Sequence, residues 1–425
     1  MAPGPVGAAL SEPGPTADSA SVPLFAPDPL GFSGLDSPRR PTAAKRQGHA
    51  GSEVTTERMT TLNKPGCARK CTTAALFVLA SVFSVPASAG AVGSPAATSP
   101  GALAPSSPEC AANRAAGTVH FASPFGYDAS AGIIDVYAAE KLGYFADLCL
   151  EVDFIDVPTS ASPYALVSAD AAQITGEGSA ADAIVEEVDG SNFVGISTYG
   201  DTSDYALLTR AGITRLTQLE GKTLGYHTVL PVVLSEMLVK AGVDISRVRL
   251  VDDQTYDPLL LVRGSFDALE AYQSNEPITL RADHDPFTMW TPARFGISGT
   301  FNVQVVNRKF LAAHRSATAD FLRASFRAFS YCTVHPATCV GYLARAQGPT
   351  FDVAHAEEEW KIESALALDH HVPGVGIGVE TRAEWAPEAK AVAQYKLVRA
   401  PVDLAAVEDT SLASSLYRGT RLVWP

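Results

Sequence analysis

The stretch TVHFASPFGYDASAGIIDVYAAEKLGYFADLCLEVDFI, residues 118–155, indicates the fold class of this chain. It opens with a short apolar run, Thr118–Phe121, continues through an amphipathic segment, Ala131–Leu142, and closes with a second apolar run, Leu148–Ile155. Gly143 follows the amphipathic segment directly, where a glycine commonly ends a helix. A strand, a helix and a strand at this spacing predict a parallel sheet with helices on its faces.

The same alternation continues downstream and then restarts. In the first unit we predict helices at Pro163–Ser168 and Ser179–Val188 and strands at Ala171–Ile174, Phe193–Thr198 and Tyr205–Leu208. In the second unit we predict helical segments at Leu216–Leu219, Pro231–Ala241 and Pro258–Arg263 and strands at Lys222–Tyr226, Arg247–Val251, Phe266–Ala271, Phe287–Met289 and Phe301–Val306. The remainder is mostly helical, with breaks at Pro336, Gly348 and Val372–Gly378. Two α/β units before a helical half indicate two lobes joined by crossing strands.

A secretory signal peptide is predicted ahead of this folded part, within residues 59–89. A basic start from Lys64 to Lys70 precedes an uncharged apolar run, Ala74–Val85, and the segment ends in the cleavage pattern Ala87-Ser88-Ala89. The apolar run is shorter than the roughly 20 residues that a membrane-spanning helix needs. The alternative is a short buried helix that happens to precede small residues.

Composition predicts the nature of the segments before the folded part, and the net charge indicates which partners are disfavoured. Residues 1–58 are rich in Pro, Gly, Ser and Ala and are expected to be a disordered leader, which a start at Met59 would leave untranslated. Residues 90–114 are expected to be a flexible linker. Residues 1–89 hold 8 of the 32 Lys and Arg and 6 of the 46 Asp and Glu, so a chain cleaved after Ala89 has a net charge of −16. This charge disfavours nucleic acid and anionic membranes as partners.

Four cysteines remain in the predicted folded part: Cys110, Cys149, Cys332 and Cys339. An even number in an exported chain suggests disulfides, and four cysteines allow three pairings. We favour Cys110–Cys149, which flank predicted neighbouring strands, and Cys332–Cys339, which are close in sequence. A metal site is the alternative, but the spacings lack a C-x-x-C signature and no histidine is placed to complete it.

The common catalytic and phosphate-binding motifs are missing from the sequence. It contains no G-x-S-x-G, H-E-x-x-H, G-x-x-x-x-G-K-[ST] or G-x-G-x-x-G pattern. We therefore expect a protein without enzyme activity, cofactor or metal. Gly374–Gly378 is expected to be a loop, His370-His371 a helix end, and Glu357-Glu358-Glu359 a solvated helix face.

Five loops that follow predicted strands carry the polar and aromatic residues of a binding cleft. These loops are Ser123–Asp128, Thr175–Ser179, Ser197–Asp201, Tyr226–Leu230 and Tyr272–Pro277. Open α/β sheets bind ligands at the carboxyl ends of their strands. Free amides at helix N-termini attract acceptor atoms of a ligand, and aromatic faces stack on flat rings. The sequence therefore predicts a small-molecule binding cleft rather than a catalytic one.

Several segments, in family order, resemble the exported substrate-binding proteins of ABC importers, in the branch for nitrate, sulfonates and thiamine-pyrimidine precursors. The matching segments are KLGYF (141–145), LEV (150–152), QITGEGS (173–179), LEGKTLG (219–225), FDA (266–268), NEP (275–277), PARFG (292–296) and NRKF (307–310). Each segment is moderately specific, and their ordered sum covers about residues 118–340.

The resemblance implies a type II periplasmic-binding-protein clamshell, an α/β fold whose two lobes are each a mainly parallel sheet flanked by helices. Residues 115–208 and 305–425 would form lobe 1, the latter with the C-terminal helices, and residues 209–304 would form lobe 2. The protein would be a monomer in the periplasm or at the outer face of the cytoplasmic membrane. It would pass a small-molecule ligand to the permease and ATPase of an ABC transporter.

The resemblance also implies the ligand contacts. Glu276 would meet a ring nitrogen or amine, and hydroxyls and backbone amides would come from Ser179 and Thr228. The full expected set, with Tyr127, Tyr199 and Trp290 as stacking residues, is Tyr127, Asp128, Glu177, Gly178, Ser179, Tyr199, His227, Thr228, Tyr272, Asn275, Glu276 and Trp290. Because Glu177 and Glu276 would repel nitrate or a sulfonate, a neutral or cationic nitrogen heterocycle, such as a thiamine-pyrimidine precursor, fits better.

Two alternatives remain open at this point. The first is an anion-binding protein of the same fold, for a sulfonate or nitrate, with Arg210, Arg263 and Arg294 as clamps. The second is an enzyme that resembles fungal pyrimidine-synthesising relatives, which use a lysine-bound pyridoxal phosphate and a Cys-rich motif. The chain has no His-Cys-Cys run and no lysine in the five loops, which disfavours this second alternative.

Overall fold

Two five-stranded sheets form the framework of the protein. The computed structural model describes residues 101–158, 161–227, 229–253 and 255–425, and at Glu177 the backbone alone. The predicted leader, the predicted signal peptide, residues 90–100 of the predicted linker and Thr228 lie outside the described residues. Within this part of the chain, no helix is both long and apolar enough to cross a membrane.

The strands and helices alternate through residue 307, and helices dominate afterwards. The strands are β1 (Thr118–Ser123), β2 (Glu151–Asp156), β3 (Ile174–Glu177), β4 (Phe193–Gly200), β5 (Tyr205–Arg210), β6 (Thr223–Tyr226), β7 (Arg249–Asp252), β8 (Ala268–Tyr272), β9 (Phe287–Trp290), β10 (Phe301–Asn307), β11 (Tyr417–Arg418) and β12 (Arg421–Leu422). The helices are α1 (Pro108–Arg114), α2 (Ile134–Lys141), α3 (Tyr144–Asp147), α4 (Pro163–Ser168), α5 (Ala180–Val188), α6 (Val232–Lys240), α7 (Leu259–Val262), α8 (Glu276–Ala282), α9 (Arg308–Ala313), α10 (Arg315–Val334), α11 (Pro336–Gln347), α12 (Val353–His370), α13 (Arg382–Gln394), α14 (Leu404–Val407) and α15 (Thr410–Ser414).

The two sheets share one topology. Sheet 1 has the order β2-β1-β3-β10-β4, and sheet 2 has the order β7-β6-β8-β5-β9. In each sheet four strands share a direction and one strand opposes them, namely β10 in sheet 1 and β5 in sheet 2. These opposing strands are the ones that the chain reaches by crossing from the other sheet. We call residues 201–204 the first crossover and residues 291–300 the second crossover. The predicted fold class, two mainly parallel sheets flanked by helices, is confirmed.

The crossovers move both predicted boundaries between the lobes. Residues 301–304 were assigned to lobe 2, but they belong to β10 of sheet 1. The expected division at residue 208 left Tyr205–Leu208 in lobe 1, but β5 pairs with β8 and β9 of sheet 2. Lobe 2 therefore begins at the first crossover. A short apolar run predicts a strand but does not say which sheet accepts it, because pairing is decided by contacts distant in sequence. Likewise, Glu276 and Pro277 were expected to lie in the loop Tyr272–Pro277, and they form the first turn of α8.

The predicted linker 90–114 needs correction over its last residues. Residues 108–114 form α1, which is capped by Ser107 and has Pro108 in its first turn. The helix is tied to the chain before β2 by a disulfide between Cys110 and Cys149, and a second disulfide joins Cys332 and Cys339. Both favoured pairings are thus confirmed. The Cys110–Cys149 disulfide restricts α1, so the last residues of the predicted linker do not have the flexibility that composition alone indicated.

Two C-terminal helices contact both lobes, although residues 305–425 were assigned to lobe 1. Helix α12 packs against β4 of sheet 1 and α8 of lobe 2, and α13 packs against α5 and α6. Trp385 of α13 is fully buried and belongs to an apolar cluster that includes residues of both sheets. Its ring lies so close to Gly195 that a Cβ at that position would come within 2.4 Å of it. The helical half therefore braces the crossovers as well as covering sheet 1.

Candidate functional site

The carboxyl ends of β1 and β3 border a cavity in lobe 1. Its total open space, mouth included, is about 270 Å³, and it is lined by Pro124, Phe125, Ser130, Ala131, Gly132, Ile133, Gly176, Asn302 and Gln304. The strand order changes direction beside β3, where β10 enters antiparallel. Open α/β sheets bind ligands at this edge of the sheet. The cavity is therefore the lobe 1 side of the candidate cleft.

A buried glutamate from α12 lies beside this cavity. Oε2 of Glu363 accepts hydrogen bonds from Ser130 Oγ (2.8 Å), the Ala131 backbone N (2.6 Å) and Asn302 Nδ2 (2.9 Å). Burial raises the pKa of Glu363 to about 7, although the bonds from Ser130 and Ala131 act to lower it. Glu363 thus holds together three lobe 1 residues that line the cavity.

The facing edge of sheet 2 carries further buried carboxyls. Glu276, at the start of α8, accepts a hydrogen bond from the Tyr272 backbone N (2.8 Å), and burial raises its pKa to about 7. Asp204, in the first crossover, accepts a hydrogen bond from Ser274 Oγ (2.6 Å). Burial and the nearby Glu363 raise the pKa of Asp204 well above its usual range. This part of the cleft region is acidic.

His227 lies between two more carboxylates of lobe 2. Its ring stacks on Tyr256 with centroids 3.7 Å apart and planes 7° apart. Its Nδ1 is 3.8 Å from Glu270 Oε2 and its Nε2 is 3.7 Å from Asp253 Oδ2. Burial lowers the pKa of His227, but Glu270, Glu276 and Asp253 outweigh that effect and raise it. His227 is therefore biased towards the protonated form.

Predicted site residues on lobe 1 are held by their neighbours. Ser179 caps α5, and its Oγ donates a hydrogen bond to Asp182 Oδ2 (2.7 Å). Gly178 lies against Tyr205, whose hydroxyl would be 2.5 Å from an added Cβ, so only glycine fits there. Asp128 accepts a hydrogen bond from the Ser130 backbone N and shares a hydrogen bond with Glu359. Burial and Asp128 raise the pKa of Glu359 well above its usual range.

The predicted residues of lobe 2 gather around Glu276. Tyr272 stacks on Tyr205 with ring centroids 5.0 Å apart and meets Phe125 of lobe 1 edge to face. Asn275 Oδ1 lies 2.8 Å from Nε2 of His355 on α12. The structure thus brings Tyr272, Asn275 and Glu276 together at the end of β8, beside lobe 1 groups. Thr228 and the side chain of Glu177 lie outside the described residues.

The three residues expected to stack on a ligand ring are placed differently from that expectation. Tyr199 is fully buried, donates a hydrogen bond to Asp135 (2.5 Å) and packs against core phenylalanines, so its stacking role needs correction. Strand β4 is buried on both faces, which the alternation of its sequence did not reveal. Tyr127 stacks on Phe154 with centroids 5.0 Å apart. Trp290, on the edge strand β9, donates a hydrogen bond to Thr209 Oγ1 (2.9 Å) on β5.

The three arginines of the anion-binding alternative lie at the surface. Arg263 pairs with Asp257 at 3.0 Å, and Arg210 lies 3.9 Å from Asp267. Arg294 donates a hydrogen bond to the Met289 carbonyl (2.9 Å). Each of these side chains already has a partner within lobe 2.

Sequence reasoning missed the contribution of α12. Glu359 was assigned to a solvated face, but it is only 4% exposed, whereas the side chain of Glu358 is 45% exposed and pairs with Lys361. Glu359 and Glu363 are four residues apart, so they lie on the same face of the helix. The signal that could have found them is this spacing next to the apolar residues Trp360 and Ala367. Among the described residues, no group of His, Cys, Asp and Glu side chains is arranged to hold a metal ion.

The fold is that of the periplasmic binding proteins, as solved structures show. The alkanesulfonate-binding protein SsuA from Xanthomonas axonopodis pv. citri, bound to MOPS, superposes with a TM-score of 0.53 and 11% identity, covering 69% of this chain and 98% of that chain. The periplasmic aliphatic sulphonate binding protein SsuA from Escherichia coli gives a TM-score of 0.52 and 12% identity, covering 75% and 95%. A ligand-binding component of an ABC-type import system from Staphylococcus aureus, with zinc bound, gives 0.53 and 10%, covering 70% and 97%.

A family model matches part of the sequence. Residues 130–339 match the family model described as NMT1/THI5 like, so the chain carries an NMT1/THI5-like domain. This match confirms the resemblance drawn from the ordered segments. No curated protein matches the chain in sequence.

Proposed function

We propose that this protein is the solute-binding component of an ABC importer. It captures a small molecule between the edges of sheets 1 and 2 and passes it to the transporter's permease and ATPase, acting as a binding protein and not as an enzyme. The NMT1/THI5-like domain and the periplasmic-binding-protein fold support this role. Export by the signal peptide at 59–89 and a monomeric state in the periplasm or at the outer face of the cytoplasmic membrane belong to the same proposal.

The solute that this site favours is a neutral or cationic nitrogen heterocycle of the thiamine-pyrimidine-precursor kind. The observation that carries this choice is the set of buried carboxyls around the cleft, at Asp204, Glu276, Glu359 and Glu363. The only basic side chain among the principal influences on their pKa values is His227. N–H groups of a heterocycle can donate to such carboxyls, whereas an anion would be repelled.

A thermal-shift screen of the purified protein tests this function. The panel holds pyrimidines, thiamine-related heterocycles, purines, polyamines, sulfonates and nitrate. A ligand at 100 times its dissociation constant stabilises the fold by about 2.7 kcal/mol, which is a readily measured rise in Tm. A rise with nitrogen heterocycles supports the proposal, and no rise with any compound contradicts it.

A pair of glutamate variants then places the ligand. Glu276→Gln replaces a buried ionisable carboxyl at the start of α8, and we expect at least about a tenfold loss of affinity for a heterocycle that binds by its N–H groups. Glu358→Gln changes an exposed glutamate of α12 and is the matched control, with no expected change. Equal affinity in both variants would remove Glu276 from the site.

A sulfonate is the second candidate, because two of the structural neighbours are named as sulfonate-binding proteins. If sulfonates alone raise Tm, the anion must find donors such as Ser130, Asn302 and the backbone amides of the lobe 1 cavity. Glu276→Gln would then strengthen binding rather than weaken it, since the substitution removes a repelling carboxylate. The sign of this one change separates the two candidates.

A further inference from the structure

Two buried carboxyls meet at one serine beside the first crossover. Ser274 Oγ lies 2.6 Å from Asp204 Oδ2 and 3.0 Å from Glu363 Oε1. Asp204 directly precedes β5, Ser274 follows β8, and Glu363 lies on α12. We call these three side chains the carboxyl–serine chain. It joins lobe 2 and the first crossover to a helix that also holds the lobe 1 cavity.

The number of hydrogen atoms limits which hydrogen bonds the carboxyl–serine chain can form. A serine hydroxyl has one hydrogen, so it donates fully to only one carboxyl oxygen. The other contact is a hydrogen bond only if that carboxyl carries a proton and donates it to Ser274 Oγ. Asp204 Oδ1 is buried and has no hydrogen-bond partner among the described residues. If both carboxyls were ionised, one of the two contacts with Ser274 Oγ would have no hydrogen, which is costly in a buried site.

The groups around Asp204 and Glu363 are mostly acidic, and few positive charges compensate them. Glu276 of α8 acts on Asp204, and Asp128 of the loop before α2 acts on Glu363. Glu359 lies on α12 itself and is affected by both Glu363 and Glu276. His227, beside Glu270, acts on Glu276. Three neutral donors, from Ser130, Ala131 and Asn302, favour the ionised form of Glu363. The proton is therefore more stable on Asp204.

We propose that one proton, shared by Asp204 and Glu363 through Ser274, holds the two lobes in the arrangement seen here. Loss of this proton at higher pH leaves two carboxylates at one serine hydroxyl and favours a more open cleft. Closure of the cleft is then linked to the uptake of a proton. This inference deepens the proposed function and rests on it in one respect: it takes the cleft to open and close around a solute.

Small-angle X-ray scattering of the solute-free protein tests this link. The radius of gyration is measured from about pH 5.5 to about pH 8.5, a range that spans the expected titration. We expect a reversible increase with rising pH in the wild-type protein. Asp204→Asn supplies an amide N–H that donates to Ser274 in place of the proton, so this variant should stay compact throughout. A constant radius in the wild type, or an equal increase in Asp204→Asn, would overturn the inference.

Glu388→Gln is the matched control, because it changes a buried glutamate at the second crossover. Its radius of gyration should follow the wild-type response to pH. Infrared spectroscopy supplies a second readout that also serves if Asp204→Asn fails to fold. At neutral pH the wild type should show a protonated-carboxyl band. Its titration should shift to higher pH in Ser274→Ala, which removes a donor that favours the ionised carboxyls, and to lower pH in Glu363→Gln, which removes a negative charge. An unchanged band and an unchanged titration in both variants would contradict the shared proton.

Neither readout needs a solute, so the two proposals can fail separately. A thermal-shift panel without hits would count against the solute class and leave the scattering result as it stands. A radius of gyration that does not change with pH in the wild-type protein would contradict the shared proton and leave the proposed binding function unaffected.

Discussion

The two crossovers between the sheets are each held by one buried glutamate from a C-terminal helix, yet the glutamates have different neighbours. At the second crossover, Glu388 of α13 accepts hydrogen bonds from the Ala181 backbone N (2.7 Å), the Thr300 hydroxyl (2.7 Å) and the Thr300 backbone N. At the first crossover, Glu363 of α12 accepts comparable bonds on one oxygen, but its other oxygen contacts Ser274, whose hydroxyl also contacts Asp204.

The difference shows that the number of hydrogen-bond donors around a buried carboxyl, more than its burial, decides whether it can be ionised or needs a proton. Burial raises the pKa of both glutamates to about 7. Glu388 has a donor for each oxygen and can act as a fixed fastener in its ionised form. Glu363 shares one donor with a second carboxyl, so its side of the molecule needs a proton. We therefore expect a structural role at the second crossover and a pH-sensitive one at the first.

The largest expected effect is at the second crossover. Glu388→Ala leaves two backbone N–H groups and one hydroxyl buried without their acceptor, and it should lower the free energy of unfolding by about 3–5 kcal/mol. Urea denaturation followed by circular dichroism measures this loss. The control is Glu358→Ala on exposed α12 surface, which should cost at most about 1 kcal/mol. A loss in Glu388→Ala no larger than in the control would show that Glu388 does not fasten the crossover.

The pH dependence of stability comes next. The folded-state pKa of Glu276 and of Glu363 is about 7, above the ordinary 4.5, so their contribution is fully present below about pH 4.5 and is lost as the pH rises through 7. One pKa unit corresponds to about 1.4 kcal/mol, so stability should fall by about 3 kcal/mol per such group. Urea midpoints at about pH 5 and about pH 8 measure the fall. Equal midpoints would contradict raised pKa values in the cleft.

Neutral isosteres at the two crossovers should change stability in opposite directions at alkaline pH. Asp204→Asn provides the missing donor to Ser274 and should stabilise the protein by about 1–2 kcal/mol at about pH 8. Glu388→Gln turns an amide donor towards an existing donor and should destabilise it by about 1–2 kcal/mol. Thermal melts of both variants beside the wild type measure the two shifts. Shifts of the same sign would mean that the crossovers do not differ in their need for a proton.

The smallest expected effect concerns a hydroxyl–carboxyl contact in the core of lobe 1. Tyr199→Phe loses the hydrogen bond to Asp135 and should cost about 1 kcal/mol. Solute affinity and the response of the radius of gyration to pH should stay as in the wild type, since the ring is fully buried. Isothermal titration calorimetry and scattering check both. A changed affinity would return Tyr199 to the binding site.

Much of the fold was predictable from the sequence because helices and strands are encoded by local periodicity. The helix Pro163–Ser168 is found at its predicted bounds, and the strand predicted at Thr118–Phe121 extends two residues further. Both disulfide pairings were also predicted, because Cys110 and Cys149 flank predicted neighbouring strands and Cys332 and Cys339 are close in sequence. The candidate site was less predictable. Glu276 and Tyr272 lie in a loop that the sequence predicts for the cleft, whereas Asp204 and Glu363 meet at Ser274 from distant parts of the sequence.

The sequence by itself determined the α/β class, the two repeating units and the local elements, because each depends on residues within a few turns of chain. The tertiary structure alone decided which sheet accepts β5, which tyrosine is buried and which glutamates of α12 face the cleft. These properties depend on burial and on the number of donors around a carboxyl. Both are set by residues far apart in sequence, such as Ser274 and Glu363, which only the folded chain brings to 3.0 Å.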